Sequence, residues 1–121
     1  MKLFRRSRRG PVVEPLTGHP GDDLVLAHLG ADSDLSQPRD WAHYLYFHAE
    51  SHARAAAEVV AAAGWEVTVG PVSVAGMGWG LVAEQQGVVT SPAAVRDART
   101  FFEAVASRHG AGLYDGWEAG L

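Results

Sequence analysis

The chain has 121 residues, 47% of them apolar and 20% charged, enough for one compact domain with a true core and too apolar for a disordered one. It holds no cysteine, which excludes a disulfide framework, thiolate zinc, iron–sulfur ligation and a cysteine nucleophile. The formal charge of −4 hides a split: Lys2, Arg5, Arg6, Arg8 and Arg9 crowd the first nine positions, and from Gly10 onward five arginines face fourteen carboxylates, a net charge of about −9.

The opening Met-Lys-Leu-Phe-Arg-Arg-Ser-Arg-Arg has the charge of a signal peptide, and Ser7-Arg8-Arg9 has the look of a twin-arginine signal. Either needs an apolar run of about 7–15 residues next. The chain instead continues Gly10-Pro11-Val12-Val13-Glu14-Pro15-Leu16. No stretch reaches the roughly 18 apolar residues of a membrane-spanning helix, so a cytoplasmic protein with no membrane span is expected. Nine arginines to one lysine, with heavy alanine and glycine use, fit a GC-rich bacterial genome.

Residues 1–20 carry Pro11, Pro15 and Pro20 and little periodicity, and read as a flexible basic arm before a domain at 21–121. The arm reads as a solubilising start, with RNA phosphates or anionic lipid as the contacts its arginines would make. Asp22-Asp23 before Leu24, Val25, Leu26 and Leu29, closed by Gly30, predicts a short helix with the aspartates exposed as its cap. Trp41 to His48 predicts a strand with Trp41, His43, Leu45 and Phe47 on one face and Ala42, Tyr44, Tyr46 and His48 on the other. Ala49 to Ala63 predicts a helix that buries Ala53, Ala56, Ala57 and Val60 and stops at Gly64. Trp65–Val69 and Trp79–Glu84 predict two strands joined by a hairpin-like connection. Ser91-Pro92 then opens a helix with Val95, Ala98, Phe102 and Val105 inside, ended by Gly110. Gly112–Trp117 predicts the last strand. After the first helix the order is β-α-β-β-α-β, the α+β ferredoxin-like plait: a four-stranded antiparallel sheet with two helices on one face.

No catalytic or metal constellation emerges from the residue types, and no cofactor motif. His48 and His52 share a helical spacing, but Glu50 is one place late for His-Glu-x-x-His, and only His43 or His28 offers a third ligand. No serine sits in a Gly-x-Ser-x-Gly elbow, and Ser51 and Ser91 read as helix caps. Gly76-Met77-Gly78-Trp79-Gly80 joins strands and does not open a helix, so it reads as a turn. An enzymatic reading would need His43, His48 and Asp115 to meet in one cleft.

The open face of the sheet is the stronger candidate. Tyr44 and Tyr46 point away from the helices, Tyr114 is expected to join them, and Glu66 and Glu84 fall on the same face. Outward aromatics on such a sheet stack RNA bases in one class of domain, but an acidic body repels phosphate. Nucleic-acid binding is therefore expected only through Arg5, Arg6, Arg8 and Arg9. Tyrosines ringed by carboxylates fit a basic or disordered protein partner, with cover by the first helix or by a second copy, as a homodimer, as the alternatives. The closing Tyr114-Asp115-Gly116-Trp117 reads as a corner that pins the C-terminus to the sheet, or as an anchor for a partner.

Asp34-Leu35, Pro38-Arg39, His43-x-Leu45-Tyr46-Phe47, Ala57…Gly64-Trp65-x-Val67-x-Val69, Trp79-x-Leu81 and Tyr114-Asp115-Gly116-Trp117 together resemble the RraB family, protein regulators of ribonuclease E activity. The resemblance runs from about Asp22 to Glu118, and Tyr-Asp-Gly-Trp after a glycine-ended helix is its most specific part. It implies a ferredoxin-like domain that is not an enzyme. Such a domain binds the disordered scaffold region of ribonuclease E and lowers RNA cleavage, with no catalytic residues. A small-ligand- or RNA-binding plait of unrelated role is the alternative reading.

Overall fold

A computed structural model describes residues 17–32 and 36–120; Asp34-Leu35 and the basic residues 2–9 lie outside them. The described chain forms α1 (Pro20–Asp32), β1 (Arg39–Phe47), α2 (Glu50–Ala62), β2 (Glu66–Val74), β3 (Met77–Val88), α3 (Pro92–Arg108) and β4 (Leu113–Gly120). The four strands make one antiparallel sheet in the order β2-β3-β1-β4, the ferredoxin-like plait with an added first helix. No helix among the described residues is long and apolar enough to cross a membrane.

The predicted periodicities appear as burial. Trp41, His43, Leu45 and Phe47 are buried, and so are the two helical stripes: Ala53, Ala56, Ala57 and Val60 on α2, and Val95, Ala98, Phe102, Val105 and Ala106 on α3. Alanines on α2 let its backbone lie close to the sheet, and Phe102 of α3 fills the space opposite Trp65 and Tyr114. Ser91 caps α3 as predicted: its Oγ accepts from the Ala94 N–H at 3.1 Å, with Pro92 in the first turn. Ser51 does not cap α2, because Ala49 holds that position in extended backbone and Ser51 lies exposed in the first turn.

The β2–β3 pair runs farther than predicted. Val74 pairs with Met77 across a two-residue turn, Ala75-Gly76, with φ of 49° and 78°. Two consecutive left-handed residues match the twist of a tight hairpin, which is why a glycine stands second.

α1 starts at Pro20, and the expected aspartate cap is replaced by His19, whose Nδ1 accepts from the Asp22 N–H at 3.1 Å. Asp22 is not exposed, as a cap would be; it is 3% exposed and turned into the fold. Asp23 points back toward the chain start and accepts from the Thr17 N–H and hydroxyl at 2.9 and 2.7 Å.

Candidate partner-binding face and the network behind it

Along β1 alternate side chains leave the core side, so Ala42, Tyr44 and Tyr46 stand on the face without helices. Register extends that face across the sheet. Ala42 lies between Glu84 of β3 and Glu118 of β4, and Glu84 pairs in turn with Glu66 of β2. Three glutamates therefore cross the sheet in one row, two of them on directly paired residues, an arrangement that destabilises a sheet by itself. Asp40, Glu84 and Glu118 border a shallow cavity of about 320 Å³ over Ala42 and Tyr44. The Tyr44 hydroxyl donates to Glu118 Oε1 at 2.5 Å, and that bond together with partial burial pushes the Tyr44 pKa up to about 12.

The other half of the face is apolar. A second cavity of about 330 Å³ is lined by Tyr44, Tyr46, Pro71, Val72, Gly80 and Val82. Gly80 makes it possible: a Cβ there would meet Val72 Cγ1 at 2.8 Å, so the missing side chain lets Val72 settle on the sheet beside Tyr46. The described strand residues on this face include no lysine or arginine.

The structure brings together Tyr44, Tyr46, Glu66 and Glu84 of the expected site and adds Glu118. Tyr114 is a correction. It is 9% exposed, on the helix side of the sheet, and its hydroxyl is hydrogen-bonded to His43 Nδ1 at 2.8 Å. A bulge is the physical cause. On β1 the step from His43 to Leu45 is matched on β4 by Trp117 and Tyr114, so β4 uses one residue more. Gly116, with φ of 98°, absorbs the extra residue in a conformation a side chain would strain. Both Tyr114 and Trp117 thereby turn to the same, covered side, while Leu113 is left 39% exposed.

Behind the sheet these two residues close a polar network. Arg99 of α3 grips Asp22 of α1 through Nε at 2.6 Å and Nη2 at 2.9 Å, and the Trp117 indole N–H donates to Asp22 Oδ1 at 3.0 Å. The Arg99 guanidinium lies over the Tyr114 ring, 4.9 Å from its centre. Burial alone would raise the Asp22 pKa; the hydrogen bonds from Arg99 and Trp117 and the charge of Arg99 bring it below the usual carboxylate value. Burial raises the Tyr114 pKa and pushes that of His43 down to about 3, so the imidazole is neutral. His43 stacks on Phe102 and meets Trp65 edge-on, and its Nε2 has no hydrogen-bond partner among the described residues.

His43, His48 and Asp115 thus lie in different surroundings: His43 is sealed in the core, while His48 and Asp115 are exposed. No group of three or more metal-ligating side chains converges among the described residues. Sequence reasoning missed Asp22 and Arg99, which are 77 positions apart and belong to no local motif. Asp22, first of an acidic pair at a helix start, has the same local pattern as a simple cap.

The fold and its open acidic and aromatic face define a small α+β domain with one sheet face that none of its described helices covers. The family model for regulator of ribonuclease activity B, RraB, matches residues 22–119, and the chain belongs to that family. A search of curated proteins returns no significant match. The matched span begins at Asp22 and ends one residue after Glu118, so it takes in both ends of the polar network and the whole glutamate row.

Proposed function

We propose that the protein regulates a ribonuclease by binding it, without catalysis, through the open face of the sheet formed by Tyr44, Tyr46, Glu66, Glu84 and Glu118. Its target is the basic, disordered scaffold region of ribonuclease E. The observation that supports this reading is the face itself: two tyrosines and an apolar cavity beside a row of three glutamates, with no cation among its described residues. Aromatic anchors supply contact area at low entropic cost, and carboxylates select a basic segment and repel phosphate. Tyr114 takes no part in this surface, because its ring and hydroxyl are used inside the fold.

Calorimetric titration of the host's ribonuclease E scaffold region into wild-type protein and into the Tyr44→Ala/Tyr46→Ala variant tests the reading. Loss of two anchor tyrosines should weaken binding by about thirtyfold or more, equivalent to about 2 kcal/mol, with the melting temperature little changed. Equal affinity of the two proteins would reject this surface. Absence of binding by wild-type protein would reject the scaffold region as its target.

A further inference from the structure

The basic segment at the start of the chain is the strongest sequence feature that neither the core nor the polar network uses. It carries five positive charges in nine residues, with Leu3 and Phe4 directly before the first arginine pair. The open face presents the inverse: a glutamate row beside an apolar cavity. We propose that residues 1–9 of this chain dock on its own open sheet face. The arginines lie along Glu118, Glu84 and Glu66, and Leu3 and Phe4 enter the apolar cavity from its Thr68 and Val82 end. The segment then competes with the protein partner for the same surface, a consequence that rests on the proposed function; the docking itself does not.

The point where the described chain begins makes this reachable. Thr17 is tied to Asp23, and His19, Gly21 and Asp22 border a hollow with Asp115, Gly116 and Trp117 of β4. The described chain therefore begins beside β4, an edge strand, on the helix side. Glu118 is the next residue after Trp117, and its carboxylate lies on the opposite face, within reach of the Tyr44 hydroxyl. Residues 10–16 supply seven links, up to about 24 Å when extended, against roughly 10 Å between packed layers of a fold. Pro11 and Pro15 favour extended backbone in that stretch.

The spacing also fits. From β4 to β2 the sheet is three strand separations wide, about 14 Å. Arg5 to Arg9 spans about 13–14 Å in an extended chain. Arginines entering at β4 thus run the width of the glutamate row, and Phe4 arrives over β2 and β3 beside Thr68 and Val82, the paired residues two positions along from Glu66 and Glu84 that form the near wall of the apolar cavity.

The lack of cysteine gives a clean test in the full chain. A nitroxide on Ser7→Cys should broaden the amide signals of Ala42, Glu84, Glu118 and Tyr46 and leave those of Arg54 and Glu58, on the outer side of α2, sharp. The broadening should vanish in a Glu84→Gln/Glu118→Gln background and in about 1 M salt, where charges are screened within about 3 Å. Broadening confined to residues near Thr17, or spread evenly over both faces, would overturn the docking. Broadening carried only between labelled and isotope-enriched copies would assign the face to a second molecule and overturn it as well. No ribonuclease enters this measurement, so failure of the docking and failure of the partner reading remain distinguishable. The competition has its own readout: the full-length variant Arg5, Arg6, Arg8 and Arg9→Gln should bind the scaffold region several-fold more tightly than wild type, and equal affinity would overturn it.

Discussion

The two faces of this one sheet use the same residue types for opposite ends. On the covered face Tyr114 spends its hydroxyl on His43 and its ring on Phe102 and Arg99, and Asp22 is gripped by three N–H donors, two from Arg99 and one from Trp117. On the open face Tyr44 and Tyr46 flank a cavity, and Glu66, Glu84 and Glu118 stand in line without a cation among the described residues around them. Under the helices the Asp22 carboxylate, the Trp117 indole N–H and the Tyr114 hydroxyl are matched and contribute to stability. On the open face Tyr44 satisfies Glu118, but Glu66 and Glu84 are set against each other, a local cost that binding a basic segment would relieve.

The contrast breaks most visibly at Asp22. Asp22→Ala leaves the Arg99 guanidinium and the Trp117 indole N–H without their shared acceptor and should cost about 3 kcal/mol in urea unfolding. A loss no greater than that of an exposed substitution such as Glu84→Ala would mean that the network is not what fastens α1 to the sheet.

Over the first pH unit below 6.5, acid gives the next largest effect, and it is confined to the covered face. His43 titrates near 6.5 in the unfolded chain and at about 3 in the fold, mainly because burial disfavours the imidazolium. Between those values the unfolded chain holds a proton that the folded one refuses. Stability is therefore complete above pH 6.5 and falls as pH drops toward 3, by up to about 1.4 kcal/mol per unit. Asp22 adds a loss in the same direction below its unfolded value of 3.8, as its carboxylate is protonated. His43→Gln should flatten the slope of stability against pH just below 6.5, whatever its effect on stability at neutral pH. An unchanged slope would remove His43 as its source.

The smallest effect sharpens the comparison between tyrosines. Tyr114→Phe deletes the hydroxyl bonded to His43 and should cost about 1 kcal/mol, whereas Tyr46→Phe should be nearly neutral. Equal losses from the two would erase the distinction between the faces.

Much of this was legible in the chain. The alternation in β1 and the alanine and phenylalanine stripes of the helices encode which side of each element is buried, because period alone assigns a face within a single element. The hairpin turn was narrower than the glycine-rich run suggested, since Ala75 takes a left-handed conformation that sequence propensity disfavours. The outward placement of Tyr44, Tyr46, Glu66 and Glu84 followed from the same alternation. Tyr114 did not, because the bulge between Tyr114 and Trp117 breaks the alternation of β4 and leaves no mark except Gly116.

The sequence by itself determined the element order, the buried stripes, the acidic body with its basic start and the motifs of its family. These are local or additive properties, readable over a few turns or by counting. Only the tertiary structure decided that Asp22 belongs to Arg99 and Trp117, that Tyr114 faces His43, and that three glutamates from three strands share one row. Those outcomes depend on strand register and helix docking, which join residues as far as 95 positions apart in the chain. Burial enforces them: a buried carboxylate or hydroxyl without a partner costs more than an irregular strand, so the chain accepts a bulge to satisfy both.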